Sequence, residues 1–600
     1  MDRRKEAQLG EQQAKKDNHS WTSFLSTIGE KTAFLSKPSM ATSSGTSTAG
    51  GRTRHTNGRR SNMHTTCSLS WPAIIVWMMA GMALSMGLLS WMGTMSTTQV
   101  HLYHSSSEHQ IRHGSSHRRG RERKVSEPVE LDWEPPQAYD RCDHVIELCA
   151  PEAYEEEQNQ EELHEKYSVQ AKDFNVFFRA TARLFWLDFA AHQWANVSFG
   201  FTQIGMTDVT LSDGSALQSK SAWTWITGDQ HLSNFGAWKN RHEEVVFSVN
   251  DFDEAAIYDF HIDVLRIAVS ICNHALTNGF SYEEAHSLLH SFTKRYVKTI
   301  ESYIGNDAAL LYEITPDTAT GVMKKWLQHV DDKESTSKQI DKFTEFDSKG
   351  NRKFSKDDRT RLVTVSPETE QKIRRAFTSE QYGATMMKMG WHVHEWDDDY
   401  FTILDVAARI GSGVGSYGVD RYYILLKGED GLLAEDEEDG TAVILDIKYE
   451  PQPAVSGVLD KDDVAWFANI FPNEAARAVE AQRRLTSYVD PFTGWVKLDG
   501  EVFVVRQRSP WKDSFDLDDL TDLDDFKEFI QQVAIATATS HTRGTVAKSP
   551  GQFKHVIAAV LGNKSDRNLW GEAVARVALS YHQQVLRDFS CFHAHVQKLH

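Results

Sequence analysis

Between residues 167 and 304 the apolar positions recur mostly at helical spacing. "FNVFFRATARLFWLDFAAHQWA" (174–195), "IDVLRIAVSICNHAL" (262–276) and "YEEAHSLLHSFTKRYVKTIESYI" (282–304) each keep an apolar stripe beside a polar one, which predicts helices. Between them, "SAWTWITGD" and "EVVFSVNDFD" are short apolar runs ending in polar turns, the pattern of strands or strand ends. The charged, irregular stretch 331–372 is expected to be a surface insertion. The texture then changes. "FTILDVAARIGSGVGSYGVDRYYILLKG" (401–428) and "TAVILDIKYE" (441–450) read as strands interrupted by glycines. A helix is expected at about 473–487, a strand at 501–508 and helices again to the C-terminus. Helices, a small β-rich block and helices predict an α+β fold with two lobes.

One apolar run differs in kind. Residues 71–93, "WPAIIVWMMAGMALSMGLLSWMG", carry no charge, and Trp71 and Trp91 stand near the ends. At about 1.5 Å per residue such a run can cross a bilayer core of about 30 Å, and interfacial aromatics are expected at its ends. Arg52, Arg54, Arg59 and Arg60 precede it, whereas the nearest later arginine is Arg112. The positive-inside rule then puts the N-terminus in the cytosol and the globular part in a lumenal or extracellular space, as in a single-pass membrane protein. The expected plan is a disordered tail (1–70), a transmembrane helix (71–93) and a polar, acidic stalk (94–166). A helical lobe (167–400), a β-rich nucleotide lobe (401–512) and C-terminal helices that complete the larger lobe (513–600) follow.

Composition changes this picture little. Hydrophobic residues make up 40% of the chain, enough for a sizeable core, and the formal charge is −19. So acidic a chain lacks the basic footprint of a nucleic-acid binder. Its acidity is concentrated in runs such as "EAYEEEQNQEELHE" (152–165) and "EDGLLAEDEEDG" (429–440), most of it solvated surface. Five cysteines do not make a disulfide scaffold. Cys142 and Cys149 are close enough in sequence to bridge in an oxidising compartment. "NVS" at Asn196 and "NKS" at Asn563 become glycosylation candidates there.

The dense chemistry lies in "WITGDQHLSNFGAW" (225–238) and "VVFSVNDFDEAAIYDF" (245–260). Phosphoryl transfer needs an Asp to accept the proton of the attacking hydroxyl, and an Asn and a second Asp to hold Mg²⁺. Asp229 and Asn234 have the five-residue spacing of a kinase catalytic loop, and Asp251 opens a "DFD" after an apolar run. Asp229 is the expected base. Asn234 and Asp251 are the expected metal ligands, with Asp253 in the metal shell. Three such oxygens would suit Mg²⁺. "GVGSYG" supplies Gly413, Gly415 and Gly418 in a G-x-G-x-x-G pattern between strands, a phosphate-covering turn. Alternation puts Ile444, Asp446 and Lys448 on one strand face, so Lys448 is expected to pair with phosphates. Glu480, on the following helix, is expected to hold that lysine. Arg179, Arg266, Arg506 and Lys512 are further anion-binding candidates.

The blocks "FNVFFRATA", "GDQHLSNFG", "NDFDEA", "DVLR", "DVAARIGSGVGSYGVDRYYILLKG", "LDIKYE", "VEAQRRL", "VVRQRSPWK" and "SHTRG" occur in that order from about residue 170 to the C-terminus. Through them the chain resembles a mainly bacterial family, domain of unknown function 2252. Through Asp229, Asn234 and Asp251 that family looks like the aminoglycoside-phosphotransferase branch of the protein-kinase-like fold. The catalytic loop precedes the Gly-rich loop here, which implies circular permutation. With these motifs ATP and Mg²⁺ are the expected cofactors, and transfer of the γ-phosphate to a hydroxyl of an unidentified acceptor is the expected reaction. Two other readings stay open. One is a metal-dependent hydrolase built on Asp229, His231, Asp251 and Asp253, a set that suits Mn²⁺ or Fe. The other is an inactive kinase-like binding module.

Overall fold

Strand alternation and helix caps set the architecture. The computed structural model describes residues 133, 135, 140–150, 160–190, 223–388, 401–411, 419–427, 442–545 and 553–599. These lie within one unit that includes Pro128–His600.

Four short strands come first: β1 (Trp223–Ile226), β2 (Phe235–Lys239), β3 (Val245–Val249) and β4 (Ala256–Asp259). β1 pairs antiparallel with β4, and β2 with β3, so the turn 227–234 and the loop 250–255 are held side by side. A hairpin, β5 (Thr344–Phe346) and β6 (Arg352–Phe354), precedes a six-stranded antiparallel sheet. That sheet contains β7 (Leu362–Thr364), β8 (Ile403–Arg409), β9 (Arg421–Leu426), β10 (Val443–Tyr449), β11 (Gly494–Leu498) and β12 (Glu501–Gln507). Its order is β11-β12-β10-β9-β8-β7.

Alternation along β10 works as the sequence pattern implies. Leu445 and Ile447 join a cluster with Tyr382, Phe377 and Met386 on one face. Ile444 joins Tyr423, Leu425, Phe343 and Phe354 on the other. The segment 331–372, expected to be irregular, thus contributes a helix (Thr336–Phe343), the hairpin and β7, and its apolar side covers part of the sheet. Its charges face outward and hide that role from a reading of charge alone.

The large core is helical. Arg141–Cys149, Gln160–Gln170, Phe174–Ala180 and Ala182–Ala190 come first, the expected single helix from 174 being broken at Thr181. The helix His261–Thr277 is buried over most of its length. Tyr282–Ser302 begins with a reciprocal cap: Ser281 accepts from the Glu284 backbone and Glu284 from the Ser281 backbone. Leu523–Arg543 starts at Asp522, which accepts from the backbones of Asp524 and Asp525. Lys564–Leu599, 36 residues long, closes the chain.

The fold class is α+β, with fifteen α-helices among the described residues. The expectation that a membrane-spanning helix precedes a kinase-like unit needs correction. Among the described residues no helix is long and apolar enough to cross a membrane. The longest, 564–599, is interrupted by Asp566, Glu572, Arg576, Arg587 and Asp588, which a bilayer core would not accommodate. Residues 71–93, where the span was expected, lie outside the described residues, as does Asn196. Cys142 forms its disulfide with Cys591, tying the first described helix to the last; Cys149 is a free thiol.

Candidate functional site

The turn after β1 is built around a glycine. Gly228 has φ +74°, and a Cβ there would stand 2.0 Å from the Glu254 carbonyl oxygen. Both constraints require glycine. Asp263, fully buried, accepts from the Thr227 and Gly228 backbone N–H groups (2.8 and 2.9 Å) and from the Thr227 hydroxyl (3.0 Å). His541 Nε2 stands 3.2 Å from the same carboxylate, and its Nδ1 pairs with Tyr296. Trp186 donates to the Gly228 carbonyl at 2.8 Å. The turn is therefore fixed largely through its backbone.

Asp229 accepts from Arg266 Nε at 2.6 Å and keeps 18% of its side chain exposed. Burial, opposed by Arg266 and reinforced by Glu254 and Asp251, pushes its carboxyl up to about 7. Asn234 donates from Nδ2 to the Asp229 carbonyl at 2.8 Å, so Oδ1 is its ligand-capable atom. Its own carbonyl accepts from the Asn250 N–H at 3.1 Å, which places Asn234 beside the acidic loop. Asp251, half-buried, makes no hydrogen bond or ion pair among the described residues. His231 is buried, with Nε2 3.8 Å from Asp229 Oδ2. Burial, then Arg179 and Arg266, hold its pKa well below the ordinary range.

The sheet supplies the facing wall. Lys448 Nζ contacts Asp253 Oδ2 directly. Burial disfavours the ammonium, but Asp253 and Asp251 outweigh it and raise its pKa. Asp446 lies opposite Arg506 on β12 and takes Arg421 through both carboxylate oxygens, the Nε bond being 2.7 Å. Burial would raise Asp446; Arg421, with Arg506 and Lys512, holds it well below the usual carboxylate range. Lys512 is driven down to about 7 by burial and then by Arg506 and Arg421. A small cleft is lined by Phe252, Asp253, Asp446, Lys448, Gln482 and Arg506.

The two walls are also cross-linked. Arg506 donates to the Asn250 carbonyl at 3.1 Å. Arg477, buried on the helix Glu474–Leu485, donates to the carbonyls of Asp253 (2.8 Å) and Ala255 and pairs with Glu450 at 3.0 Å. Glu254 accepts from the Ala454 N–H at 2.5 Å. Burial first, then Asp253, pushes Glu450 well above the ordinary carboxylate range.

The structure thus brings Asp229, Asn234, Asp251, Asp253 and Lys448 into one neighbourhood. Glu480 is not joined to Lys448: it pairs with Arg484 at 2.7 Å, one turn along its own helix. Gly413, Gly415 and Gly418 lie outside the described residues. Asp263, Arg477 and Glu450 were not singled out as site residues from the sequence. The "DVLR" and "KYE" blocks contain two of them, but their roles depend on partners far along the chain.

A model of the family described as "uncharacterized protein conserved in bacteria", domain of unknown function 2252, matches residues 158–595. The chain belongs to this family. Every residue of the site described above falls within the match. No curated protein and no solved structure matches the chain significantly.

Proposed function

We propose that this protein is a Mg²⁺-dependent phosphotransferase moving the ATP γ-phosphate to an acceptor hydroxyl. The observation that carries this reading is the opposed charge of the two walls. The loops hold Asp229, Asp251, Asp253 and Glu254, and burial with mutual repulsion raises two of these carboxyls, Asp229 and Glu254. The sheet side holds Arg421, Lys448, Arg506 and Lys512, and there burial, with repulsion from Arg506 and Arg421, lowers Lys512. One wall lacks a cation and the other an anion. A metal bound to a triphosphate supplies both.

The residues fit such a group. Asp251, without a partner, and Asn234 Oδ1 are hard oxygen donors of the kind Mg²⁺ selects. When bound, Mg²⁺ neutralises charge developing on the phosphates. Lys448, Arg506 and Lys512 would contact phosphate oxygens, with Lys448 exchanging part of its bond to Asp253. Asp229, with a pKa near working pH, is suited to a general base. It takes the proton of the acceptor hydroxyl as the oxygen bonds to the γ-phosphorus and the bond to the β,γ-bridging oxygen breaks. A His-ligated hydrolytic metal fits less well, because Arg179 and Arg266 would repel a cation beside His231.

The test is thermal unfolding with ATP and Mg²⁺ together. The melting temperature rises for the wild type and stays unchanged for Asp251→Ala; absence of any nucleotide-dependent rise in the wild type refutes the reading.

A further inference from the structure

We propose that His286, His290 and Glu572 form a surface binding site for Zn²⁺ or a similar divalent transition metal, separate from the cleft. His286 and His290 stand four residues apart on the helix Tyr282–Ser302, so both rings leave the same face. Their centroids are 4.7 Å apart. Glu572 comes from the helix Lys564–Leu599, with Oε2 3.2 Å from His286 Nε2 and 2.9 Å from His290 Nε2. All three ligand atoms lie within 4.8 Å of one another.

The two carboxylate–histidine separations are close to those a tetrahedral ion requires. With Zn–N and Zn–O bonds of about 2.0–2.2 Å, neighbouring ligand atoms stand about 3.3–3.5 Å apart. The two carboxylate contacts need to open by only a few tenths of an ångström. Two imidazoles and one carboxylate are a zinc donor set that leaves a fourth position for water.

The helices are also shaped for this approach. A Cβ at Gly571 would stand 2.9 Å from Thr293 Oγ1 and 3.4 Å from His290 Nδ1. Glycine therefore lets the second helix bring Glu572 over the histidines. Arg576 Nε is 3.9 Å from Glu572 Oε1 and is half-exposed, so it can withdraw when a metal takes the carboxylate. A bound ion would brace the two helices.

The experiment strips the full-length chain of metal with a chelator and titrates Zn²⁺ against a chromophoric competitor. The chain has 26 histidines, so the wild type is compared with His290→Gln and Glu572→Gln. The wild type should bind one more high-affinity equivalent than either variant, with affinity at that site falling by about 100-fold or more on loss of a ligand. Zn²⁺ should also raise the melting temperature of the wild type alone. Equal stoichiometry and affinity in all three proteins would overturn the site. Should His290→Gln fail to fold, the half-exposed Glu572→Gln carries the comparison by itself. Neither readout involves nucleotide, so the outcome is independent of the proposed phosphotransfer.

Discussion

The acidic loops 227–234 and 250–255 and the charged face of β10 and β12 position charge in opposite ways. The loops are held by their backbone: Asp263 binds the N–H groups of 227 and 228, Arg477 the carbonyls of 253 and 255, and Arg506 the carbonyl of 250. The sheet is held by its ladder, and its charges come from alternation alone. Their electrostatics differ to match. In the loops burial and repulsion raise the Asp229 and Glu254 carboxyls, whereas on the sheet Asp446 is depressed, and Lys512, in the loop beyond β12, is driven down to about 7. On the proposed reading, a metal–phosphate would supply each wall with the charge it is short of.

The largest effect expected is on chemistry. Asp229→Asn removes the proposed base and should lower kcat by about 10²- to 10⁴-fold, measured by phosphate transfer in an acceptor screen, with the far-UV spectrum unchanged. Next comes the anchor. Asp263→Ala leaves two backbone donors and the Thr227 hydroxyl without their acceptor and should cost roughly 3–5 kcal/mol in chemical denaturation. Gly228→Ala forces a side chain into a left-handed, blocked position and should cost roughly 2–4 kcal/mol in the same assay. On the sheet, Lys448→Met should weaken nucleotide binding by roughly 10- to 100-fold while stability changes less. The smallest effect is reserved for Glu480. Glu480→Gln can still accept from Arg484, so nucleotide affinity should stay within about twofold; a loss as large as that of Lys448→Met would restore the pairing of Glu480 with Lys448.

The two walls also differ in how stability depends on pH. Asp229 is raised, so its contribution is complete below the ordinary carboxylate pKa and is lost as pH rises through about 7. Asp446 is depressed, so its contribution is present above the ordinary carboxylate pKa and is lost as pH falls through the folded value. Asp229→Asn should therefore flatten the fall in stability between about pH 4 and 8, and Asp446→Asn should cost more at neutral pH than in acid. Because kcat/KM reports the free enzyme, its acidic limb should lie near pH 7. A limb near 4 would show that another group is the base.

What was legible in the sequence follows the same division. Alternation placed Ile444, Asp446 and Lys448 on one face of β10, and the structure has Ile444 packed there with Asp446 and Lys448 at the cleft. The short polar turns after β1 and β3 were also readable, because turn chemistry is local. The anchors were not. Asp263 meets a turn 35 residues earlier and His541 278 residues later, and no spacing rule connects such partners. Glu480 is the opposite case: its helix was readable, but Arg484, four residues on, takes its carboxylate at short range. The membrane-spanning expectation rested on hydropathy, the flanking Trp71 and Trp91 and the preceding arginines, in a part of the chain outside the described residues.

The central claim is that loop and sheet act on one ligand, so the most direct measurement is a double-mutant cycle on Mg²⁺–ATP affinity. Binding is measured by calorimetry for the wild type, Asp251→Ala, Lys448→Met and the double variant. Two residues gripping one metal–phosphate should be non-additive, with a coupling of about 1 kcal/mol or more. Additive losses, or a wild type that binds no nucleotide, would contradict the account.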